Sequence, residues 1–424
     1  MSQAPIHRRA AIAGTAALLA AAKAAAPRGA HAQGSTTPEV RRAVLGFIAL
    51  TDAAPVIIAR EKGFFAKHGM PDVEVNRQAS WGATRDNLVL GGGRGGIDGA
   101  HLLTPMAYLI HMGRVVQNNQ PMPMAILTRL NTNGQGISVA GKHQALGARL
   151  DASPLRRALN ADSKVAMTFR GGTHDLWLRY WMAAAGIDPE RDVSTIVVPP
   201  PQMVANMRVG TMDAFCVGEP WNAQLISLRL GYTACVTGEL WKDHPEKVFA
   251  LRGEFVQQNP RAAEAMTAAV IEAARWCDQP ANKAEMCDII GRRSWLNVAP
   301  ADILGRMRGE VDYGDGRRTT NPDITMKFWR DHASYPFRSH DLWFLTENIR
   351  WGILPESLDT APLIAEVNRE DIWRAAAARA GVPNSETPSG TSRGRETFFD
   401  GKVFDPENPR AYLDSLAIKK LSAA

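Results

Sequence analysis

Cysteine is scarce in this chain: the four in 424 residues, Cys216, Cys235, Cys277 and Cys287, make no C-x-x-C pair and none of the spacings that hold zinc. Long apolar runs are missing too, so no stretch reads as a bilayer span. A surplus of one charge sign is small. The formal net charge is +6, but Arg8, Arg9, Lys23 and Arg28 all precede residue 33, where no acid occurs, and removing them leaves a surplus of two. Without a run of Lys and Arg interleaved with aromatics, that balance excludes nucleic acid as a partner. H-E-x-x-H and the P-loop pattern are absent, which removes the zinc-protease and nucleotide-phosphate readings.

Two catalytic-looking motifs fail on their context. Gly91, Gly93 and Gly96 match G-x-G-x-x-G, but a short apolar strand follows where a dinucleotide site needs a helix. Gly390-Thr391-Ser392-Arg393-Gly394 matches G-x-S-x-G, which needs a histidine later in the chain, and the last histidine is His340. The chain is not read as an enzyme, and no cofactor or metal is expected.

What is there begins with a leader. Residues 1–32 have a basic start, an alanine-rich apolar middle and a small-x-small exit at Ala30-His31-Ala32. Arg8-Arg9 resembles a twin-arginine export signal, with the ordinary secretory route as the alternative. The first cysteine is far from that exit, so a lipid anchor is disfavoured and a free periplasmic protein is expected. In that compartment Cys277 and Cys287 can pair or remain buried thiols.

Beyond the leader, RRAVLGFIAL reads as a strand, VIIAREKGFFAKHG as a helix and VEVNRQ as a second strand. That order predicts an α/β fold with parallel sheet pairing. KVAMTF, GGTHDLWLRYWMAAAG and DVSTIVVPPP repeat it later. A weak internal repeat joins the two: GGIDGAHLLTPMAYLI at 95–110 and GTMDAFCVGEPWNAQLI at 210–226 both run from Asp through a short strand to a Pro-started helix. Two similarly built lobes follow from this. The expected boundaries are 40–136 plus 236–383 for a discontinuous first lobe and 137–235 for the second, with 384–424 as a tail that wraps the surface without forming a core.

The runs QASWGATRDNLVLG, NTNGQGISVA, GGTHDLWLRYW, STIVVPPPQMVANMRVGTMDAFCVGEPW and GELWKDHPEK resemble the nitrate and bicarbonate receptor family of bacterial ABC importers. FWRDHASYPFRSHDLWFLTENIRWG, ETFFDGK and FDPENPRAYLDSL extend that resemblance toward the end of the chain. It implies a type II periplasmic binding protein, two α/β lobes closing over one small anion, with an ABC permease and its ATPase subunit as partners. A monomer is expected. Sulfonate, taurine or cyanate receptors share the fold and stay open as alternatives, as do a nitrate sensor and a pyrimidine-synthase-like enzyme.

The candidate site residues are mostly hydrogen-bond donors. Trp81 opens a helix after Ser80 and offers one indole N–H, while the helix start exposes backbone N–H groups. Gln135 lies between Gly134 and Gly136, where the backbone bends easily and its amide can donate. Gly172 and Thr173 start the second lobe's helix, and His174 adds a ring N–H. Glu219, before Pro220, is expected to shape the cleft wall and to orient His174 or accept a proton. The resemblance implies that Lys247, or else Lys242, faces the anion, at the place where bicarbonate receptors carry an acid. A lysine favours nitrate, an anion with three acceptor oxygens and no proton, with nitrite expected to bind as well.

Overall fold

The computed structural model describes residues 37–421. The expected export signal at 1–32 lies outside them. Ten strands make two five-stranded sheets. β1 (Arg42–Phe47), β2 (Asp72–Arg77), β3 (Gly99–Leu103) and β4 (Met124–Arg129) belong to the first. The second holds β5 (Gln135–Ala140), β6 (Lys164–Met167), β7 (Ser194–Val197), β8 (Ala214–Gly218) and β9 (Gly231–Val236), before β10 (Lys247–Arg252) rejoins the first.

The strand orders are β2-β1-β3-β10-β4 and β7-β6-β8-β5-β9. Both sheets are wired alike. β1 pairs in parallel with β2 and β3, as β6 does with β7 and β8. β10 runs antiparallel between β3 and β4, as β5 does between β8 and β9. The antiparallel strand of each sheet therefore enters from the other sheet, which is why parallel pairing is interrupted once in each. Even the register shifts match, at Phe249/Ala250 against β4 and at Ile137/Ser138 against β9.

The sequence repeat supplies the two central strands, β3 and β8. Its shared aspartates do the same structural work: Asp98 accepts from the Val44 N–H at 2.9 Å, and Asp213 accepts from the Lys164 N–H at 2.9 Å, tying the start of β3 to β1 and of β8 to β6. At the other end each strand runs into a helix, α1 (Thr104–His111) after β3 and α2 (Trp221–Ser227) after Glu219-Pro220.

Two crossings join the sheets, residues 130–134 and 237–246. They lie side by side: Thr132 bridges Pro245, and the Asn133 N–H donates to the His244 carbonyl at 3.0 Å. Asn133 and Gly134 both have positive φ, 56° and 90°, so the first crossing bends where glycine is least strained.

All four cysteines are buried free thiols, so Cys277 and Cys287 are not joined. The tail from Asn384 needs correction. It carries a helix at Pro409–Ser415 and inserts Phe398, Phe404 and Tyr412 into the main core. Phe398 packs edge-on against Trp241 at 5.1 Å, and the Tyr412 hydroxyl donates to buried Glu347 at 2.6 Å. Isolated aromatics in a polar stretch give no periodic signal, yet each buries a large apolar area. Among the described residues no helix is long and apolar enough to cross a membrane.

Candidate binding chamber between the two sheets

Because each antiparallel strand enters from a crossing, its first residue sits beside the last residue of the central strand. Lys247 pairs with Leu103 in one sheet, and Gln135 pairs with Gly218 in the other. The crossings thus deliver Lys247 and Gln135 to the same buried region. Glu246 is held by its own carbonyl, which accepts from the Thr104 hydroxyl at 2.6 Å, and the Lys247 N–H donates to Asn131 at 3.2 Å.

The first sheet's side carries the charges. The Lys247 ammonium donates to Asp52 Oδ2 at 3.0 Å and to Glu246 Oε1, and all three side chains are fully buried. Asp52 also accepts from His101 Nε2 at 2.6 Å, while His101 Nδ1 accepts from the Ile48 N–H at 3.4 Å. These two bonds fix the neutral form of the ring. Burial opposes the Asp52 charge, but Lys247 and His101 outweigh it and hold the carboxyl at about 2. Burial likewise opposes the Lys247 charge, and Asp52 and Glu246 overcome it, so its pKa rises. Burial dominates at His101 and lowers its pKa despite Asp52.

Trp81 stands against this cluster. Ser80 caps its helix (Trp81–Leu90) by accepting from the Ala83 N–H at 3.1 Å. The indole is fully buried, 5.4 Å from the His101 ring, with the Lys247 ammonium 5.8 Å from its centroid. Its Nε1–H has no hydrogen-bond partner.

The second sheet's side is neutral. The Gln135 amide donates to Thr173 Oγ1 at 3.2 Å, and its carbonyl oxygen accepts from the Cys216 thiol at 3.6 Å. Gly172 is the N-cap of the helix Thr173–Ala184. A Cβ on Gly172 would lie 2.8 Å from a Leu103 methyl, so glycine lets the helix start close against the first sheet. His174 Nδ1 lies 2.5 Å from the Thr168 hydroxyl. With that hydroxyl as donor, the neutral ring carries its proton on Nε2, which has no hydrogen-bond partner. Burial, reinforced by Lys247, keeps the His174 pKa well below its ordinary value.

Polar contacts join the two sides. The Thr173 hydroxyl donates to Glu246 Oε1 at 3.0 Å, and His174 Nε2 lies 3.6 Å from the same oxygen. A Cβ on Gly218 would stand 3.1 Å from Asp52 Oδ2 and 3.7 Å from His174 Nε2, so the missing side chain lets the walls meet.

Of the residues singled out from sequence, Trp81, Gln135, Gly172, Thr173, His174 and Lys247 are gathered at this chamber. Lys242 is not: it is exposed and paired with Asp323 at 3.0 Å. Glu219 sits at the edge with a different task from the one expected. Its carboxylate accepts from the Ala223 N–H at 3.2 Å and faces Arg306 at 3.5 Å, while His174 is oriented by Thr168. A residue directly before a helix start answers that helix's free N–H groups first. Burial raises the Glu219 pKa against the pull of Arg306.

Asp52, His101 and Glu246 were missed. A histidine inside the apolar strand GAHLL and an acid directly before Lys247 were the available signals. Among the described residues no group of three or more His, Cys, Asp and Glu side chains is arranged to hold a metal ion.

The model of the NMT1-like family matches residues 36–291. Over 394 residues the chain is 59% identical to the nitrate/nitrite binding protein NrtA of Synechocystis sp., covering 92% of this chain and 88% of that one. It is 42% identical over 404 residues to the bicarbonate-binding protein CmpA of Synechococcus elongatus, covering 92% and 89%. The crystal structure of the periplasmic nitrate-binding protein NrtA from Synechocystis superposes with a TM-score of 0.89 at 59% identity, over 90% of this chain and 100% of that one. The chain therefore belongs to the NMT1-like family, in the branch that holds the nitrate/nitrite-binding and bicarbonate-binding proteins.

Proposed function

We propose that the chain is a periplasmic receptor that binds nitrate, and nitrite with it, and hands the anion to an ABC permease driven by its ATPase subunit. The observation that carries this reading is the meeting of Lys247 with Trp81, Gln135 and His174 in one buried chamber, in a chain 59% identical to a nitrate/nitrite binding protein. Nitrate only accepts hydrogen bonds. An indole N–H, an amide, an imidazole N–H and an ammonium form a donor set for its three oxygens, and burial strengthens each contact.

The work is capture rather than turnover. The first sheet with its helices forms one lobe and the second sheet, from Gln135 to Val236, the other, and they part at the paired crossings to admit the anion. Closure brings Gln135, Thr173 and His174 against the Lys247 side, and the permease recognises the closed form. The protein is exported by the signal at 1–32, preferentially by the twin-arginine route, and acts as a monomer.

Bicarbonate is the second reading, and Asp52 and Glu246 favour it, since its hydroxyl needs an acceptor. The buried lysine and the higher identity to the nitrate/nitrite relative favour nitrate. The test is calorimetry on protein dialysed free of anions, titrated with nitrate, nitrite, bicarbonate with and without calcium, and taurine. Nitrate and nitrite should bind and Lys247→Glu should abolish both. A response to bicarbonate or taurine with none to nitrate keeps the fold and removes this ligand.

A further inference from the structure

A set of donors around an anion leaves Glu246 unaccounted for. Its Oε1 accepts from the Thr173 hydroxyl and the Lys247 ammonium, but Oε2 is buried with no hydrogen-bond partner. A carboxylate oxygen held there offers only lone pairs, and an anion beside it is repelled.

The Lys247 charge is already answered by Asp52 at 3.0 Å. The other titratable groups that act on Glu246 and its partners are His101 on β3, His174 on the facing helix, His244 in the second crossing and the Cys216 thiol on β8. Burial keeps the three imidazoles below their ordinary pKa, His244 at about 3, and pushes the Cys216 thiol well up, so all four are neutral. With Glu246 ionised, the buried cluster carries one surplus negative charge before any anion arrives and two afterwards. Nitrate brings no proton of its own.

We propose that Glu246 enters the anion-bound state as a carboxylic acid, taking a proton from solvent wherever it was ionised beforehand and donating it from Oε2 to the anion. The inference rests on the nitrate reading above. Neutral Glu246 removes the repulsion and turns an orphaned acceptor into one more donor. Burial, with help from Asp52 and against the pull of Lys247, already lifts the Glu246 carboxyl to about 7. A neighbouring anion raises it further. The linkage has a definite sign: nitrate affinity is flat on the acid side of the unliganded pKa and falls about tenfold per pH unit on the alkaline side.

The experiment is nitrate calorimetry on the whole protein between about pH 6 and 9, in buffers of different ionisation enthalpy, which reads the protons taken up per anion. Uptake should climb toward one as pH rises while the affinity falls. Glu246→Gln, which donates without titrating, should still bind nitrate but with flat affinity and no proton uptake. Tight nitrate binding with no uptake in the unaltered protein overturns the inference and leaves the ligand assignment standing. Uptake that survives in Glu246→Gln also overturns it, moving the proton elsewhere. If nitrate binds at no pH, the ligand assignment and this inference fall together. If the variant does not fold, absence of uptake in the unaltered protein still overturns the inference.

Discussion

Lys247 and Gln135 hold the same place in two sheets of the same wiring, each opening the antiparallel strand beside the end of a central strand. Their neighbours correspond as well. The repeat that aligns β3 with β8 sets His101 against Cys216. In the first sheet His101 steadies Asp52, which holds Lys247. In the second, Cys216 donates to the carbonyl of Gln135 and so leaves the amide N–H groups pointing at Thr173. One half keeps a pre-assembled ion pair, and the other presents neutral donors that need no counter-charge. Two charged walls would each carry desolvation costs and would repel or lock on contact, whereas here a charged side meets a neutral one through the Thr173 hydroxyl and the His174 imidazole.

Making the two halves alike should cost the most. Lys247→Gln gives both strands the same first residue and removes the counter-charge of buried Asp52, so it should lower unfolding free energy by about 3–5 kcal/mol in denaturant titration. Nitrate affinity should fall by about a thousandfold in the same variant, measured by calorimetry. Putting charge into the neutral half comes next. Gln135→Glu preserves shape but replaces the donating amide by an acceptor, and should weaken nitrate binding by about a hundredfold. The smallest change removes the support behind Gln135. Cys216→Ala deletes one weak thiol donor and should alter affinity by about threefold, and a loss as large as that of Gln135→Glu would show that the thiol, not the strand position, fixes the amide.

The parallel part of each sheet was legible in the sequence because it leaves periodic traces, whereas the antiparallel entry of β5 and β10 was not. The strand-helix-strand order and the Asp-strand-Pro-helix repeat both correspond to elements seen in the fold, down to Asp98 and Asp213 capping equivalent strand starts. The helix starts at Trp81 and Thr173 were legible for a similar local reason. What escaped was charge compensation. Asp52 and Lys247 are 195 positions apart, and nothing local to either predicts that they touch. Glu246 hides in a run of alternating charges that reads as a solvated surface, yet Lys242 from that run is exposed while Glu246 and Lys247 are fully buried. Burial there comes from the crossing, a tertiary event. The tail misled in the other direction, since single aromatics such as Phe398 and Tyr412 dock without any periodic pattern.

Asp52, Trp81, His174, Glu246 and Lys247 are all wholly screened from solvent. If the proposed anion sits within this lining, it leaves only after the walls separate, and its exit rate is capped by the opening rate however strong its bonds are. Residence time is then a property of the scaffold and occupancy a property of the lining. Changes in the paired crossings at 130–134 and 237–246 adjust a clock, and changes at the chamber adjust a scale.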